Sequence, residues 1–375
     1  MPISVSTVAR PRDWKALWRL SRQVHATDPA WIEPLRMERK ALWSAKNPWF
    51  EHASGELFLA RRSGQAVGAI SAQIDRLQAP EQGRRIGYFG QFECVNEPEV
   101  AAILLDRAAG WLRERGCTWM RGPYDLGINQ SCGLLVSGHE TPPMILMGHA
   151  PAYYRELLEG AGMSGEMDLL AFLVAPDFEA PAAMNRLLER NRGRLSFRAL
   201  DMQHYLHEVE LLRDLFNDAW SDNWGFVPLT RAEFAHTGRE IRKILHPDHA
   251  CVAEVDGEAA GFLIALPNLN ELIRDLEGRL LPTGWARLLW RLKRRQATTA
   301  RVPLMGVRKK HQRGSLSAAI SFGMIDKVRH ALHRDGIRQV EMSWILETNQ
   351  GMNSLIKAMG GDLYKRYRMY GRALD

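Results

Sequence analysis

Cysteine is scarce in this 375-residue chain: Cys94, Cys117, Cys132 and Cys251 form no CxxC pair and have no histidines at zinc spacing. That excludes a disulfide scaffold and a cysteine-ligated metal, and buried reduced thiols are expected. His246 and His249 stand three apart in HPDH, but the proline between them favours a turn, so no metal is expected. Long apolar runs are missing too; none approaches the ~18 residues of a membrane-spanning helix. The opening MPISVSTVARPRDW lacks the basic stretch and apolar core of a secretory signal. The cytoplasm is therefore the expected compartment, with peripheral contact at the inner face of an anionic membrane left open.

What is present is ordinary for a globular protein: 46% hydrophobic residues, 25% charged, 31 Gly and 18 Pro, which excludes disorder and collagen. The length suggests two domains. Charge is distributed unevenly. Of a net +7, ten positive charges and no acid fall between Trp285 and Arg313, leaving the rest of the chain slightly acidic. A general nucleic-acid binder would be basic throughout, and no docking motif accompanies the strip, so no specific nucleic-acid partner is expected.

The chain repeats itself. Ala60–Gly68 (ARRSGQAVG) matches Ala253–Gly261 (AEVDGEAAG) at an offset of 193 residues, each reading as a strand, a glycine turn and a return strand. Leu112–Gly116 matches Leu332–Gly336 at an offset of 220, each a helix ended by glycine and followed by a strand. The helices leading into those glycines carry apolar faces at three/four spacing, Val100, Ile103, Leu104, Ala108, Trp111 and Leu112 in one and Ile320, Met324, Ile325, Val328, Ala331 and Leu332 in the other. The second copy must hold about 27 extra residues, and an interruption at 268–299 accounts for them. Two α/β domains, 1–176 and 177–375, are expected, joined near Pro176–Pro181. Each holds a mixed, largely antiparallel twisted sheet flanked by helices.

The segment from Arg301 to Ile320 is a strand, a basic glycine-containing turn and an amphipathic helix. Such a turn offers backbone N–H groups and the positive end of a helix dipole to an anion, which points to phosphate binding. Its spacing is not that of a P-loop. The order of elements resembles the GCN5-related N-acetyltransferase (GNAT) superfamily, whose Q/R-x-x-G-x-G/A signature holds the pyrophosphate of coenzyme A. Gln312, Arg313, Gly314, Ser315, Leu316 and Ser317 fit it in register, with serine at both later glycine positions. The resemblance implies an acyl-CoA cosubstrate, held also by backbone groups of Met305 and Val307 and by Asn349 beside the pantetheine arm. In the first half the equivalent turn reads ECVNEPE, from Glu93 to Glu99, whose carboxylates would repel a pyrophosphate, so a degenerate first domain is expected.

Many GNATs protonate the leaving thiolate with a tyrosine whose position here is Ile356, so Tyr364 or Tyr367 is expected to substitute, or the thiolate leaves unassisted. For the base, Glu341, Ser343, Ile345 and Glu347 share one strand face by the period-two rule. Glu347, at the strand's C-terminal end, is preferred to Glu341 and His311. The resemblance places Trp220, Asn223, Trp224 and Phe226 on the acceptor side. A long polar loop, Arg121–Gly133, supplies Tyr124 and Asn129 as further acceptor-side candidates.

The interruption carries Leu281, Trp285, Leu288, Leu289 and Leu292 as an apolar stripe, flanked by Trp290 and the basic residues. That composition suits a membrane interface or a lid over a greasy substrate. Some GNAT-type enzymes acylate lipid amines, in bacterial ceramide synthesis among others. The expected function is therefore acyl-CoA-dependent N-acylation, long-chain, of a hydrophobic or lipid amine such as a sphingoid base. Two alternatives stand beside it: acetylation of a small polar amine, and a non-catalytic binding module on a degenerate GNAT fold.

Overall fold

The computed structural model describes residues 2–375. The first repeat runs β1 (Ile3–Thr7), α1 (Pro11–Val24), α2 (Arg36–Leu42), β2 (Ala53–Arg62), β3 (Gln65–Asp75), β4 (Ile86–Cys94), α3 (Pro98–Arg113), β5 (Trp119–Gly122), β6 (Leu134–Ser137), α4 (Tyr154–Gly160) and β7 (Ser164–Val174). The second runs α5 (Ala182–Arg190), β8 (Leu195–Arg198), α6 (Tyr205–Trp220), α7 (Arg231–Ile241), β9 (Ala250–Val255), β10 (Glu258–Pro267), α8 (Leu269–Ile273), α9 (Gly284–Lys293), β11 (Thr299–Val307), α10 (Gly314–Arg334), β12 (Gln339–Leu346), α11 (Gln350–Ala358) and β13 (Asp362–Ala373). Leaving aside α5, β6 and the interruption that contains α8 and α9, the two series match element for element. The repeat read from the two glycine turns is thus the fold itself.

The chain divides into two compact units. The first comprises Met1–Leu169, Glu277–Arg279 and Lys365–Asp375; the second comprises Leu170–Leu276 and Leu280–Tyr364. The last eleven residues belong to the second repeat by sequence yet group with the first unit. The reason is hydrogen bonding: beyond Lys365, β13 pairs antiparallel with β5 and β6.

In the first unit β1 to β4 are successive antiparallel neighbours, and β4 pairs with β5 in parallel from Ile86↔Trp119 to Tyr88↔Arg121. Leu17 and Leu20 of α1 pack against Leu57, Leu59 and Ala69 on one face. In the second unit β8, β9, β10 and β11 are antiparallel neighbours, and β11 pairs with β12 in parallel. Its core lies where Ile320, Met324, Val328 and Leu332 of α10 meet Cys251, Leu263, Val302, Val340 and Met342. Alternation along the strands then puts Arg301, Glu341 and Ser343 on the face away from α10.

Candidate active site

The β11–β12 ladder ends at Val302↔Met342, four residue pairs after it begins. The cause is local to β11. Its register against β10 shifts between Ile264↔Leu304 and Leu266↔Arg301, so two residues, Val302 and Pro303, oppose the single Ala265. Proline is tolerated at such a bulge because no ladder hydrogen bond is demanded of it, and the bulge bends the strand away from its parallel neighbour.

Beyond the bulge, β11 keeps β10 on one edge and loses β12 on the other. Arg308 N–H donates to Ala260 of β10 at 2.7 Å. The carbonyls of Met305 and Val307 accept instead from Trp220 Nε1 at 3.3 Å and Gln312 Nε2 at 2.8 Å. A residue in a strand turns its N–H and C=O toward the same edge, and successive residues alternate. Met305 and Val307 therefore direct their N–H groups to the edge that β12 has left. Two backbone donors and a helix N-terminus thus lie on one stretch of chain.

That N-terminus is α10. Arg313 is its N-cap and supplies no side-chain cap, and Gly314 takes φ +78° with open space where a Cβ would stand. Ser315 is exposed, and Leu316 and Ser317 are half-buried, so the first turn, whose N–H groups have no partner within the helix, is accessible. The Gln312 amide also donates to Ala219 at 2.7 Å, tying the turn to the end of α6. The cations before it are engaged in ion pairs. Arg308 pairs with Asp214 at 2.5 Å, Lys309 with Asp222 at 2.6 Å and Lys310 with Glu258 at 2.6 Å. Asp214, Asp218 and Asp222 repeat every four residues along and just past α6, and Asp218 accepts from Lys309 N–H at 2.8 Å. Arg313, by contrast, has no ion-pair partner among the described residues. Burial and neighbouring Lys310 hold His311 below the ordinary imidazole range.

At the base of the divergence lies a buried polar cluster. Glu341 is fully buried and accepts hydrogen bonds from the hydroxyls of Ser343 and Tyr364. Arg301, 3% exposed, stands 3.4 Å from Glu341 and donates from Nε to Ser343 Oγ at 2.8 Å. Tyr364 is half-buried, which makes its phenol the member of this set nearest solvent. Sequence reasoning picked out Glu341 and Tyr364 but missed Arg301. The available signal was one arginine in TARVPLMGV and one glutamate in QVEMSWIL, opposite charges in two otherwise apolar parallel strands.

The other expected residues are placed as follows. Glu347 lies past the end of β12 in an exposed turn, so it is not brought to Glu341 despite the shared periodicity. Asn349 is the N-cap of α11 and accepts from Met352 N–H at 3.1 Å. Ile356 is buried in the core. Trp220 packs on Phe216 with ring centroids 4.3 Å apart, and Phe226 approaches the same ring at 6.2 Å. Trp224 is half-buried and Asn223 exposed in the turn between them. Tyr367 groups with the first unit, fully buried, three residues after Tyr364. Tyr124 is likewise a core residue of the first unit, 2% exposed and 4.8 Å from Tyr88 by ring centroid; Asn129 is half-buried in the same loop.

In the first unit the equivalent gap is filled by its own chain. After β5, Tyr124 N–H donates to Phe89 of β4 at 2.9 Å. A Cβ added to Gly90 would come within 1.6 Å of the Tyr124 carbonyl oxygen, so glycine alone permits this contact. A second polar cluster lies beside it. Glu93 accepts from Ser21 and from Tyr154 at 3.1 Å, contacts His25 at 3.2 Å and stands 3.7 Å from Arg39. Burial would raise Glu93, but the His25 hydrogen bond, the Arg39 and His25 charges and Ser21 overcome it and hold it down to about 2. Burial pushes nearby Asp125 up to about 6, against the pull of Arg39 and of the Gln91 amide. Among the described residues no helix is long and apolar enough to cross a membrane.

No family model matches the chain. Over 375 residues it is 43% identical to the bacterial ceramide synthase of Caulobacter vibrioides, a match covering 99% of this chain and 98% of that one. Protein YghO of Escherichia coli is 40% identical over 371 residues, covering 99% and 95%. Among solved structures, a tandem GNAT protein from the clavulanic acid biosynthesis pathway matches with a TM-score of 0.56 at 13% identity, over 100% of this chain and 99% of that one. A GCN5-related N-acetyltransferase from Sphaerobacter thermophilus matches with a TM-score of 0.55 at 14% identity, over 99% and 96%. At such identities the solved structures speak for the fold alone.

Proposed function

The chain belongs to the tandem GNAT-type acyltransferase family of the bacterial ceramide synthase, and we propose that its second repeat moves a long acyl group from coenzyme A to a lipid amine such as a sphingoid base. One observation supports the location of the donor site: past Val302 β11 no longer pairs with β12, two of its backbone N–H groups turn to that edge, and it leads directly into an uncapped helix N-terminus. An acyl-CoA fits that donor set. The α10 N-terminus with Arg313 suits the pyrophosphate, and Met305 and Val307 N–H suit the amide and carbonyl groups of the arm. The thioester supplies an activated carbonyl that the amine attacks directly. The first repeat takes no part in donor binding, because Tyr124 occupies the corresponding gap.

In this reading the backbone donors of β11 stabilise the oxyanion of the tetrahedral adduct. Collapse of the adduct breaks the C–S bond, and Tyr364 gives the departing thiolate its proton. Glu341 orients that phenol and holds negative charge beside it, so the phenolate that forms must recover a proton quickly. In becoming an amide nitrogen the ammonium loses two protons: one balances the proton taken up by sulfur, and the other leaves to solvent. Trp220, Trp224 and Phe226 offer the acceptor an apolar wall, with exposed Asn223 at its polar end. A lipid amine of this kind is met at a membrane surface.

Native mass spectrometry and calorimetry with palmitoyl-CoA and acetyl-CoA, followed by thiol release in the presence of a sphingoid base, test the assignment. Palmitoyl-CoA binding and turnover are expected. Acetyl-CoA preference with a small polar amine would replace the lipid reading, and binding of neither thioester would overturn both.

A further inference from the structure

Helix α9 has two apolar aspects, where the sequence suggested one stripe. Leu288 and Leu292 turn inward and pack against the core of the second unit, and Gly284 is buried. Leu281, Trp285, Leu289 and Trp290 face solvent at 73%, 51%, 50% and 54% exposure. These four are close to half of the nine large hydrophobic side chains exposed among the described residues, gathered within ten positions. Scattered exposed leucines need no explanation, but a cluster containing two tryptophans does.

The cations of this segment divide by role. Arg291 grips Asp275 through two nitrogens, at 2.5 and 2.8 Å, and also donates to Leu272 O; Arg295 pairs with buried Asp335. These two fasten the helix to its own unit. Arg287, Lys293 and Arg294 remain exposed, with Arg294 over the Trp290 ring at 5.9 Å and Arg287 only 3.7 Å from an already paired Asp275. Along the exposed side, Trp285, Leu289 and Lys293 follow one another at four-residue spacing. Arg287, Trp290 and Arg294 follow at three and four on the adjacent arc. No acid lies between Arg279 and Arg295.

We propose that the outer face of α9, with Leu281, is a docking surface for an anionic phospholipid bilayer. The helix lies in the interface with Trp285, Leu289 and Trp290 among the headgroups and upper acyl chains, and Arg287, Lys293 and Arg294 on lipid phosphates. Tryptophan favours that depth because its ring is apolar and its N–H polar. Charge decides between this occupant and a second copy of the chain: an isologous pairing of these faces would set Lys293 and Arg294, which have no ion-pair partner among the described residues, against the same two, with the weakly paired Arg287 beside them, whereas an anionic surface complements them. The docking deepens the lipid-acceptor reading above, but its test needs no turnover.

The full chain is floated with vesicles of phosphatidylcholine alone and of phosphatidylcholine mixed with phosphatidylglycerol, at low and physiological salt. Binding is expected to favour the anionic vesicles at least tenfold and to weaken as salt rises. The pairs Trp285→Ser/Leu289→Ser and Lys293→Glu/Arg294→Glu are each expected to lower partitioning roughly tenfold, with acyl-CoA binding in solution unchanged. Equal partitioning to both vesicles, or variants that bind as the natural chain does, would overturn the proposal. So would a dimer in sedimentation that the variants dissociate. Loss of acyl-CoA binding with vesicle docking intact would instead sink the acyltransferase assignment and leave this one standing.

Discussion

Replacing Glu341 by glutamine separates the stability role of the buried cluster from its chemistry. Glutamine keeps the volume and can still accept from Ser343, but it removes the negative charge of Glu341, 3.4 Å from the Arg301 guanidinium. Arg301 is 3% exposed, so water cannot take over, and its contacts include the uncharged hydroxyl and carbonyl of Ser343. Leaving one partner of a buried pair uncompensated costs about 3–5 kcal/mol. Against that, Tyr364 can turn its half-buried hydroxyl to solvent and adds little to the loss. Because the chain has two compact units, a single global unfolding free energy is a poor reading. Native-state hydrogen exchange at the amides of β11 and β12 is the suitable assay, since it reports opening where the pair sits. The double variant Arg301→Met/Glu341→Leu removes both charges of the pair and is expected to recover most of the lost stability, yet to remain inactive. A loss below about 1 kcal/mol in Glu341→Gln would mean the pair is effectively hydrated, and the reasoning from burial would fail. Full activity in the double variant would equally refute the role given to Glu341.

Tyr364→Phe is expected to leave acyl-CoA binding unchanged while lowering kcat by about 10²–10⁴-fold, measured as thiol release at saturating donor; an equal fall in binding and turnover would mark Tyr364 as structural. In the first unit, Asp125 is raised from 3.8 to about 6, so the folded state holds its proton longer than the unfolded chain does. Its contribution is present below about pH 4 and lost as pH climbs to about 6, by up to roughly 3 kcal/mol. Glu93, lowered to about 2, works with the opposite sign: its contribution is present above its ordinary value of 4.5 and lost as pH falls through about 2. Hydrogen exchange in β2–β4 should therefore show greatest protection in mild acid, and Asp125→Asn should remove the decline above about pH 4. An unchanged profile in that variant would refute the buried-carboxyl account.

Much of this arrangement was legible along the chain. The duplication showed in two glycine turns, because a left-handed backbone position admits little else and so survives as a landmark; Gly64, Gly257, Gly116 and Gly336 all take positive φ. The apolar faces of α3 and α10 followed from spacing, and so did the strand, turn and helix that offer backbone donors at Gly314. The grouping of side chains along β12 was less legible. Period-two alternation grouped Glu347 with Glu341, but the strand ends at Leu346, and a face shared in an ideal strand is lost one residue past its end. The ion pairs of Arg308–Lys310 could not be read along the chain because their partners lie far off in sequence, on and just past α6 and at the start of β10.

Local rules, then, determined which segments are helix or strand, that the series of elements recurs, and where a strand turns directly into an uncapped helix N-terminus. Each of those depends on neighbours within a few residues. Only the tertiary structure decided which charges are spent on ion pairs and which remain, that Arg301 belongs with Glu341, and that Tyr124 closes the first repeat's gap while Pro303 begins the opening in the second. Charge neutralisation and close backbone approach depend on distances between segments far apart along the chain, and sequence spacing carries no measure of those distances.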